Sequence, residues 1–490
     1  MSVNSKANTK IKIDLYIKLF IYINNLMFNI ILATDINGGI GLNNDIPWNF
    51  SKDMEFFRNI TKSNNIFDKA IVIMGRKTIE SLPKQYLPNR INIVISSTLE
   101  IKFNNKYSCV RSFHDALEMA YQINGSQYTN NIWVIGGAQV YEQAFRHPDI
   151  NLIYHTNIDH DFACDTSVEL PKMTPCKTVR VTDVNKKNDN ACSLYFCINK
   201  PILNAEQQYI KLLQDVLING EKRMTRNGYT NSVFGRELSF DVSDSFPLLT
   251  TKRMFWKGIV EELLFFIRGD TNTSNLSQNG VKIWNGNTTR EFLDNLGPPC
   301  NDYQIGDMGP MYGYQWRFFN KPYNTATNIT GIDQLTNLIT EIKNNPSSRR
   351  LLMTDYNPSQ VMEGVLYPCH SLILQFYVNE SYLSVKMYQR SADSFLGLPF
   401  NIASTTLLLY IIASLTNLKP DKVSISLGDC HIYKEHYEAV IKQLSRLPYK
   451  LPKLEIPKFS TIKQVENSVY GDYKIIDYEC HPGIKAPMIA

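Results

Sequence analysis

The stretch "VLYPCHSLILQFYV", Val365 to Val378, places a thiol and an imidazole, Cys369 and His370, side by side after a proline at the mouth of an apolar run. A thiol attacks carbon only as the thiolate, and a free one with a pKa near ~8.5 is only a few per cent ionised at neutral pH. Read as a strand, the segment turns neighbouring side chains to opposite faces, so His370 is poorly placed to deprotonate Cys369 and a papain-type dyad gains little support. A phosphatase loop fails too, because Gln375 stands six residues on, where a phosphate-cradling arginine is required. Two readings stay open: a buried structural cysteine, or a nucleophile activated by cations elsewhere in the chain. Arginines in short polar stretches favour the second. They are Arg226 in "MTRNGYTNSVFG", Arg349 and Arg350 in "SSRRLL", and Arg390 in "YQRSADSFLGLPFNIAS". A guanidinium fork grips phosphate with paired bonds, and a neighbouring one brings a thiol to about 7 or below. Arginine would then both hold a phosphorylated substrate and activate the nucleophile.

A second set of residues lies in the first half. "GGIGLNNDIPWNFSKDMEFFRNIT" joins a glycine-rich loop to a helix capped by Ser51, with Asp53 in its first turn and Phe57 one turn on, along the same face. An acid there commonly complements the helix dipole. Beside Phe57 and Trp48 it also reads as a carboxylate in an apolar pocket, gripping an amidine-like ring edge with two hydrogen bonds. "IVIMGRKTIESL" and "WVIGGAQVYEQAF" set Gly75 to Thr78 and Gly136–Gly137 at strand-to-helix junctions, where free amides bind phosphate and Arg76 and Lys77 take an additional one. Neither is the GxGxxG fingerprint, and each alone is weak.

The elements that must position these groups fall into two blocks. At 490 residues the chain exceeds one ordinary core. From Met27 to about Lys200, short β-rich runs alternate with helical stretches, which predicts an α/β domain with a mainly parallel sheet covered on both faces. A Pro/Asn segment, "NKPILNAEQ", and an amphipathic helix stopping at Gly220 follow, and the second half mixes long apolar helices with strands as an α+β fold. The expected organisation is an extension over 1–26, a first domain over 27–199, a linker over 200–206 and a second domain over 207–490. The extension is apolar but broken by Lys12, Asp14 and Lys18, so it has no run of the ~20 residues that span a bilayer, and it reads as a dispensable or mis-started extension with Met27 as the functional start, a targeting segment being the alternative. "TTLLLYIIASL" reads as a buried core helix. The formal net charge of +5 comes without a long basic block, which makes nucleic acid a poor partner. Nine cysteines without CxxC spacing argue against a zinc site and a disulfide framework, and place the chain in a reducing, cytoplasmic compartment with no metal.

"PCHS", "QRSADSFLGLPFNIAS", "GDCHIYKEHYE", "FPLLTTKR", "EELLFFIRGDTN", "GPMYGYQWR" and "HPGIKAP" resemble thymidylate synthase, in order, across residues 205–490. The resemblance implies methylation of dUMP by methylenetetrahydrofolate, with Cys369 adding to C6 of the pyrimidine and Glu262 organising proton transfers. It assigns the phosphate grip to Arg226, Arg390 and Ser391 of one subunit and to Arg349 and Arg350 of the other, so a homodimer is implied. His370, Gln389, Asp393, Asn401, His431 and Tyr433 complete the nucleotide side. Ile283, Trp284, Asn287, Asp393, Leu396, Gly397 and Phe400 fall on the folate side. Adjacent Glu261 is expected to be a solvated charge and Cys430 a small buried filler. The loop after Arg226 departs from the family's two-glycine pattern by being one residue shorter, with only Gly228 before Gly235.

Residues 27–199 resemble dihydrofolate reductase. That likeness assigns Asp53 to the pterin edge, Phe57 to the ring wall, Ala33 and Thr156 to further pterin positions, and Arg90 in "LPNR" to the glutamate tail. Ala33, Ile40, Gly75, Arg76, Lys77, Thr78, Ser96, Ser97, Gly136, Gly137, Ala138 and Gln139 match the NADPH side, with a cis bond between the two glycines. Ile79, where a tryptophan often stands, is expected to pack. In this order the two resemble the bifunctional dihydrofolate reductase–thymidylate synthase family, in which one half consumes the dihydrofolate that the other releases. A catalytically silent folate- and nucleotide-binding regulator and an unrelated thiol hydrolase are the rival readings. Retention of Cys369, Glu262 and Asp53 weighs against both.

Overall fold

The computed structural model describes residues 27–62, 69–99, 106–124, 131–324 and 329–489, so the extension over 1–26 lies outside the described residues. The chain divides between Leu203 and Asn204 into two compact units.

The first unit contains strands β1 (Phe28–Thr34), β2 (Gly39–Gly41), β3 (Ile71–Gly75), β4 (Ile91–Ile95), β5 (Ser108–Val110), β6 (Ile132–Val134), β7 (Ile150–Ile158), β8 (Thr166–Ser167), β9 (Met173–Val184) and β10 (Ala191–Pro201). Eight of them form one sheet in the order β5-β4-β3-β6-β1-β7-β10-β9, and β2 pairs with β8 apart from it. The sheet is parallel from β5 to β7, and β10 and β9 close it in antiparallel fashion. Alternation explains the two covered faces. Phe28, Ile30 and Leu32 of β1, with Ile71 and Ile73 of β3, enter one apolar cluster. Ile31, Val72 and Met74 enter another on the opposite side. A strand buried on both faces reads as a continuous apolar run, as "FNIILAT" does.

The strand β10 runs through Pro201 and the next helix begins at Ala205. That helix, Ala205–Asn219, opens on a reciprocal capping box between Asn204 and Gln207, with both bonds at 2.9 Å, and stops at Gly220. Its Glu206 is fully buried, accepting bonds of 2.6–2.8 Å from the amides and hydroxyls of Thr250 and Thr251.

The second unit is built on a six-stranded sheet of β11 (Glu221–Thr225), β12 (Gly228–Asp241), β13 (Leu352–Met353), β14 (Ile373–Asn379), β15 (Tyr382–Asp393) and β16 (Lys419–Tyr433), in the order β11-β12-β16-β15-β14-β13. Only β15 and β16 run parallel. Leu374, Phe376, Leu383, Val385 and Met387 point inward into the apolar core that also holds the helix Gly397–Thr416, whose Leu407, Leu409 and Ile412 are fully buried. This helix is the one described segment long and apolar enough to cross a membrane, and most of it is enclosed in the core. Leu352, Ile373, Tyr377, Tyr382 and Tyr388 project from the opposite face and stay exposed.

Two expectations fail locally. The strand expected from Val365 starts only at Ile373, because Ser371 adopts φ 58° and turns the chain, leaving Cys369 and His370 in an irregular segment. Ser51 is the first helical residue rather than the cap; Phe50 holds the cap position and offers no side-chain bond.

Removing the buried carboxylate orphans four donors at once. Glu206→Ala is expected to lower the stability of the second unit by roughly 2–4 kcal/mol. The check is calorimetry, with the first unit's transition unmoved.

Candidate active sites

Cys369 is hung on β15. Its carbonyl accepts the Arg390 amide at 2.8 Å, while the Arg390 side chain returns to the Pro368 and Tyr367 carbonyls at 3.1 Å and lies over the Tyr367 ring at 4.9 Å. Cys369 is half-buried as a residue, and the Tyr312 hydroxyl lies 3.5 Å from its sulfur. His370 stacks on Tyr312 with ring centroids 4.6 Å apart, and its Nδ1 meets the Ser371 hydroxyl at 2.8 Å. Burial takes the His370 pKa down to about 4, so the imidazole is neutral and packed.

Two influences act on the thiol in opposite directions. Burial pushes the Cys369 thiol up from its ordinary range, and the opposing pull of Tyr312 and Arg390 does not outweigh it. Arg349 and Arg350 stand exposed on the segment before β13. Arg226 is exposed at the tip of a two-residue turn, since Thr225 pairs directly with Gly228. The shorter loop is therefore a tight hairpin, and its Asn227 side chain bonds Tyr433.

Glu262, on the buried helix Trp256–Arg268, accepts the Trp284 indole N–H at 2.8 Å. Burial raises its pKa to about 7, against that hydrogen bond. Glu261 is also buried and accepts from Asn279 at 2.9 Å, which corrects its expected solvated role. The parallel pairing of β15 with β16 brings Ser391, Ala392 and Asp393 opposite Asp429, Cys430 and His431. His431 Nδ1 lies 3.0 Å from Asp429, and its ring meets Tyr433 edge-on at 5.0 Å. Cys430 is fully buried, its pKa pushed up to about 12. Asp393 accepts the Phe395 and Leu396 amides at 2.9 and 3.1 Å at the start of the helix carrying Gly397, Phe400 and Asn401. Burial works upward on its carboxyl, but His436 and the Leu396 amide hold it below the usual range. Gln389 is buried, while Ser391, Ile283, Asn287, Leu396 and Phe400 are half-buried.

Three groups here were missed from sequence. Tyr312 touches the sulfur from within "GPMYGYQWR", where nothing separates it from Tyr314. Lys252 is buried against Phe395, its ammonium 3.7 Å from the ring centre and donating to the Phe395 carbonyl, and burial takes its pKa down to about 7. Asp355 is buried with neither carboxyl oxygen bonded to another residue, and its charge opposes ionisation of Cys369.

In the first unit Asp53 is half-buried in the opening turn of Ser51–Ile60, and its carboxyl bonds Thr156 of β7. Thr156 pairs with Ala33 of β1. Burial lifts the Asp53 pKa to about 6. Phe57 packs beside Ile31 and Leu82, and Trp48 is buried with its ring 5.1 Å from Phe162. Arg90 is aimed by bonds to the Thr61, Pro88 and Arg58 carbonyls at 2.9–3.4 Å.

The Gly75 amide donates to the Gly136 carbonyl at 2.7 Å, laying the two strand ends edge to edge, and the Gly136–Gly137 bond is cis. A Cβ on Gly136 would fall 2.9 Å from the Tyr141 ring, and Gly136 has φ 110°. Both following helices, Arg76–Ser81 and Ala138–Arg146, start without a side-chain cap, which leaves amides for an anion. Those amides, exposed Lys77, Ser97 and Gln139, and half-buried Thr78 and Ile40 fit a dinucleotide. Arg76 is engaged with Glu80 at 2.9 Å, Ser96 Oγ caps its own turn, and Ile79 packs inward.

A thymidylate synthase family profile matches residues 207–490 and a dihydrofolate reductase profile matches residues 27–200. A bifunctional dihydrofolate reductase-thymidylate synthase of Paramecium tetraurelia is 37% identical over 95% of this chain and 99% of its own length. Those of Daucus carota and Leishmania major are each 36% identical, over 94% of this chain and 95% of their own lengths. The chain belongs to the bifunctional dihydrofolate reductase–thymidylate synthase family. It is an enzyme with two activities, NADPH-dependent reduction of dihydrofolate and reductive methylation of dUMP by methylenetetrahydrofolate.

A thiol raised by burial gains thiolate only in a range more alkaline than a free thiol's. Alkylation of Cys369 by iodoacetamide in the nucleotide-free enzyme, followed on its peptide by mass spectrometry, should rise with pH through that range. Arg390→Ala should move the curve further alkaline.

Proposed function

We propose the following division of labour, with residues 27–199 as the reductase, 207–490 as the synthase and 200–206 joining them. In the synthase, Cys369 forms the bond to C6 of dUMP, moving the C5–C6 pair onto C5. Glu262 holds the proton exchanged near C4 and C5, a task for which a carboxyl with a pKa of about 7 is matched to neutral pH. Arg390 and Ser391 grip the phosphate beside Cys369, with Arg226 at its exposed turn as an outer contact. Gln389, Asn401, His431 and Tyr433 bond the base and ribose, and His370 fixes the packing under the sulfur through Tyr312. Ile283, Trp284, Asn287, Asp393, Leu396, Gly397 and Phe400 line the folate side. The observation that carries the reading is that Tyr312 touches the sulfur of Cys369 while the charges of Arg390 and Glu262 both act on the same thiol.

In the reductase, Asp53 and Thr156 hold the pterin edge, Phe57 and Ala33 wall it, and Arg90 takes the glutamate carboxylate. The open amides after Gly75 and Gly137, with Arg76, Lys77, Thr78, Ser96, Ser97, Ala138 and Gln139, hold the dinucleotide, and Ile40 covers it. When bound, NADPH supplies the hydride for reduction. Asp53 holds a proton near neutrality and so favours protonation of the ring it grips.

The synthase acts as a homodimer, with Arg349 and Arg350 reaching the partner's phosphate site. What supports this is the exposed row Leu352, Ile373, Tyr377, Tyr382 and Tyr388, an apolar sheet face of the kind that copies cover. The cytoplasm suits nine cysteines free of disulfides.

Cys369→Ala should abolish dUMP-dependent dihydrofolate formation, by a factor of about 10⁴ or more, and leave NADPH oxidation with added dihydrofolate intact. Asp53→Asn should do the reverse. Joint loss of both activities in either variant contradicts two separable sites. Sedimentation should show a dimer that Tyr377→Asp weakens.

A further inference from the structure

Asp53 lies in the first turn of its helix, where unpaired amides and the macrodipole favour negative charge and should draw a carboxyl's pKa down. It moves the other way, to about 6. Burial is the largest cause, but the end of the helix is also already taken. Phe50 supplies no cap, and the Lys52 amide, next to Asp53, donates at 2.7 Å to Oδ2 of Asp183 on the edge strand β9. Asp183 is thus an N-cap delivered from another element, 130 residues along the chain from Asp53. Its charge adds to the upward push on Asp53.

Of the influences on Asp53, only a hydrogen bond opposes the upward push, and it outweighs the share that comes from Asp183. Thr156 of β7 gives one hydrogen bond, which favours the ionised form. The Tyr141 phenol, on Ala138–Arg146, is engaged with the Ile31 carbonyl at 2.8 Å, and its pKa is raised by burial and by Asp53. Lys52, the cation on the same turn, directs its ammonium to the Thr182 carbonyl at 2.7 Å.

We propose that Asp183 is a positioning residue of the reductase, acting on Asp53 by occupying the positive end of the helix in its place. It orients the first turn through the Lys52 amide and keeps that amide from stabilising the Asp53 carboxylate. The inference rests on the reading of Asp53 as the proton-holding group.

The test is single-turnover dihydrofolate reduction by the full chain across about pH 5–9. Asp183→Asn keeps an oxygen for the Lys52 amide and removes the charge. The midpoint should shift acid by roughly 0.5–1 pH unit, and the rate at pH 7.5 should fall roughly three- to tenfold. Asp183→Glu should hold the midpoint near that of the unaltered enzyme. The midpoint is read from the shape of the profile and so does not depend on the folded fraction, and dUMP methylation by the same preparation reports an intact second unit. An unmoved or alkaline-shifted midpoint in Asp183→Asn overturns the proposal. A normal rate in Asp53→Asn overturns instead the reading on which it rests.

Discussion

Withdrawal of ionisable groups from water sets the terms for both sites. Cys369, Glu262 and Asp53 each have burial as the largest influence on their ionisation, and in each it favours the protonated form. For the two carboxyls this leaves a proton available near neutrality, which is useful to an acid–base group. For the thiol it works against nucleophilicity. The three groups thus share one physical cause with opposite chemical consequences, and the neighbours of each must be judged by whether they reinforce or resist it.

Those neighbours arrive by sheet register. The parallel β15–β16 pairing sets Asp393 beside His431, and the β1–β7 pairing sets Ala33 beside Thr156. A shift by one residue in either ladder would turn the alternate side chains to the other face. The apolar alternation that builds the core therefore also fixes which polar residues meet, and the buried helix Gly397–Thr416 anchors the synthase sheet against such a slip.

Much of this was legible in the sequence because it lies in contiguous signals. The parallel sheet followed from alternating apolar runs, the core helix from the length of "TTLLLYIIASL", and the phosphate turns from glycines at strand ends. The failures are non-local. Ser371 ends the strand early through a backbone angle that no periodicity reveals. Glu261 is buried because Asn279 is brought to it. Ser51 is already helical and Asp183 arrives from β9 to accept the Lys52 amide, and "VRVTDV" carries no sign of that destination. Tyr312 was inside a recognised motif, yet its contact with sulfur depends on a segment 57 residues away.

The link between Arg390 and Cys369 has a mechanical meaning. The guanidinium leans on the carbonyls of residues 367 and 368 while the main-chain amide of the same residue grips residue 369. Side chain and backbone of one residue thereby clasp three consecutive units, so any tug on its charged tip is transmitted to the sulfur through a short, stiff lever. A ligand without an anionic end would have no handle on that lever.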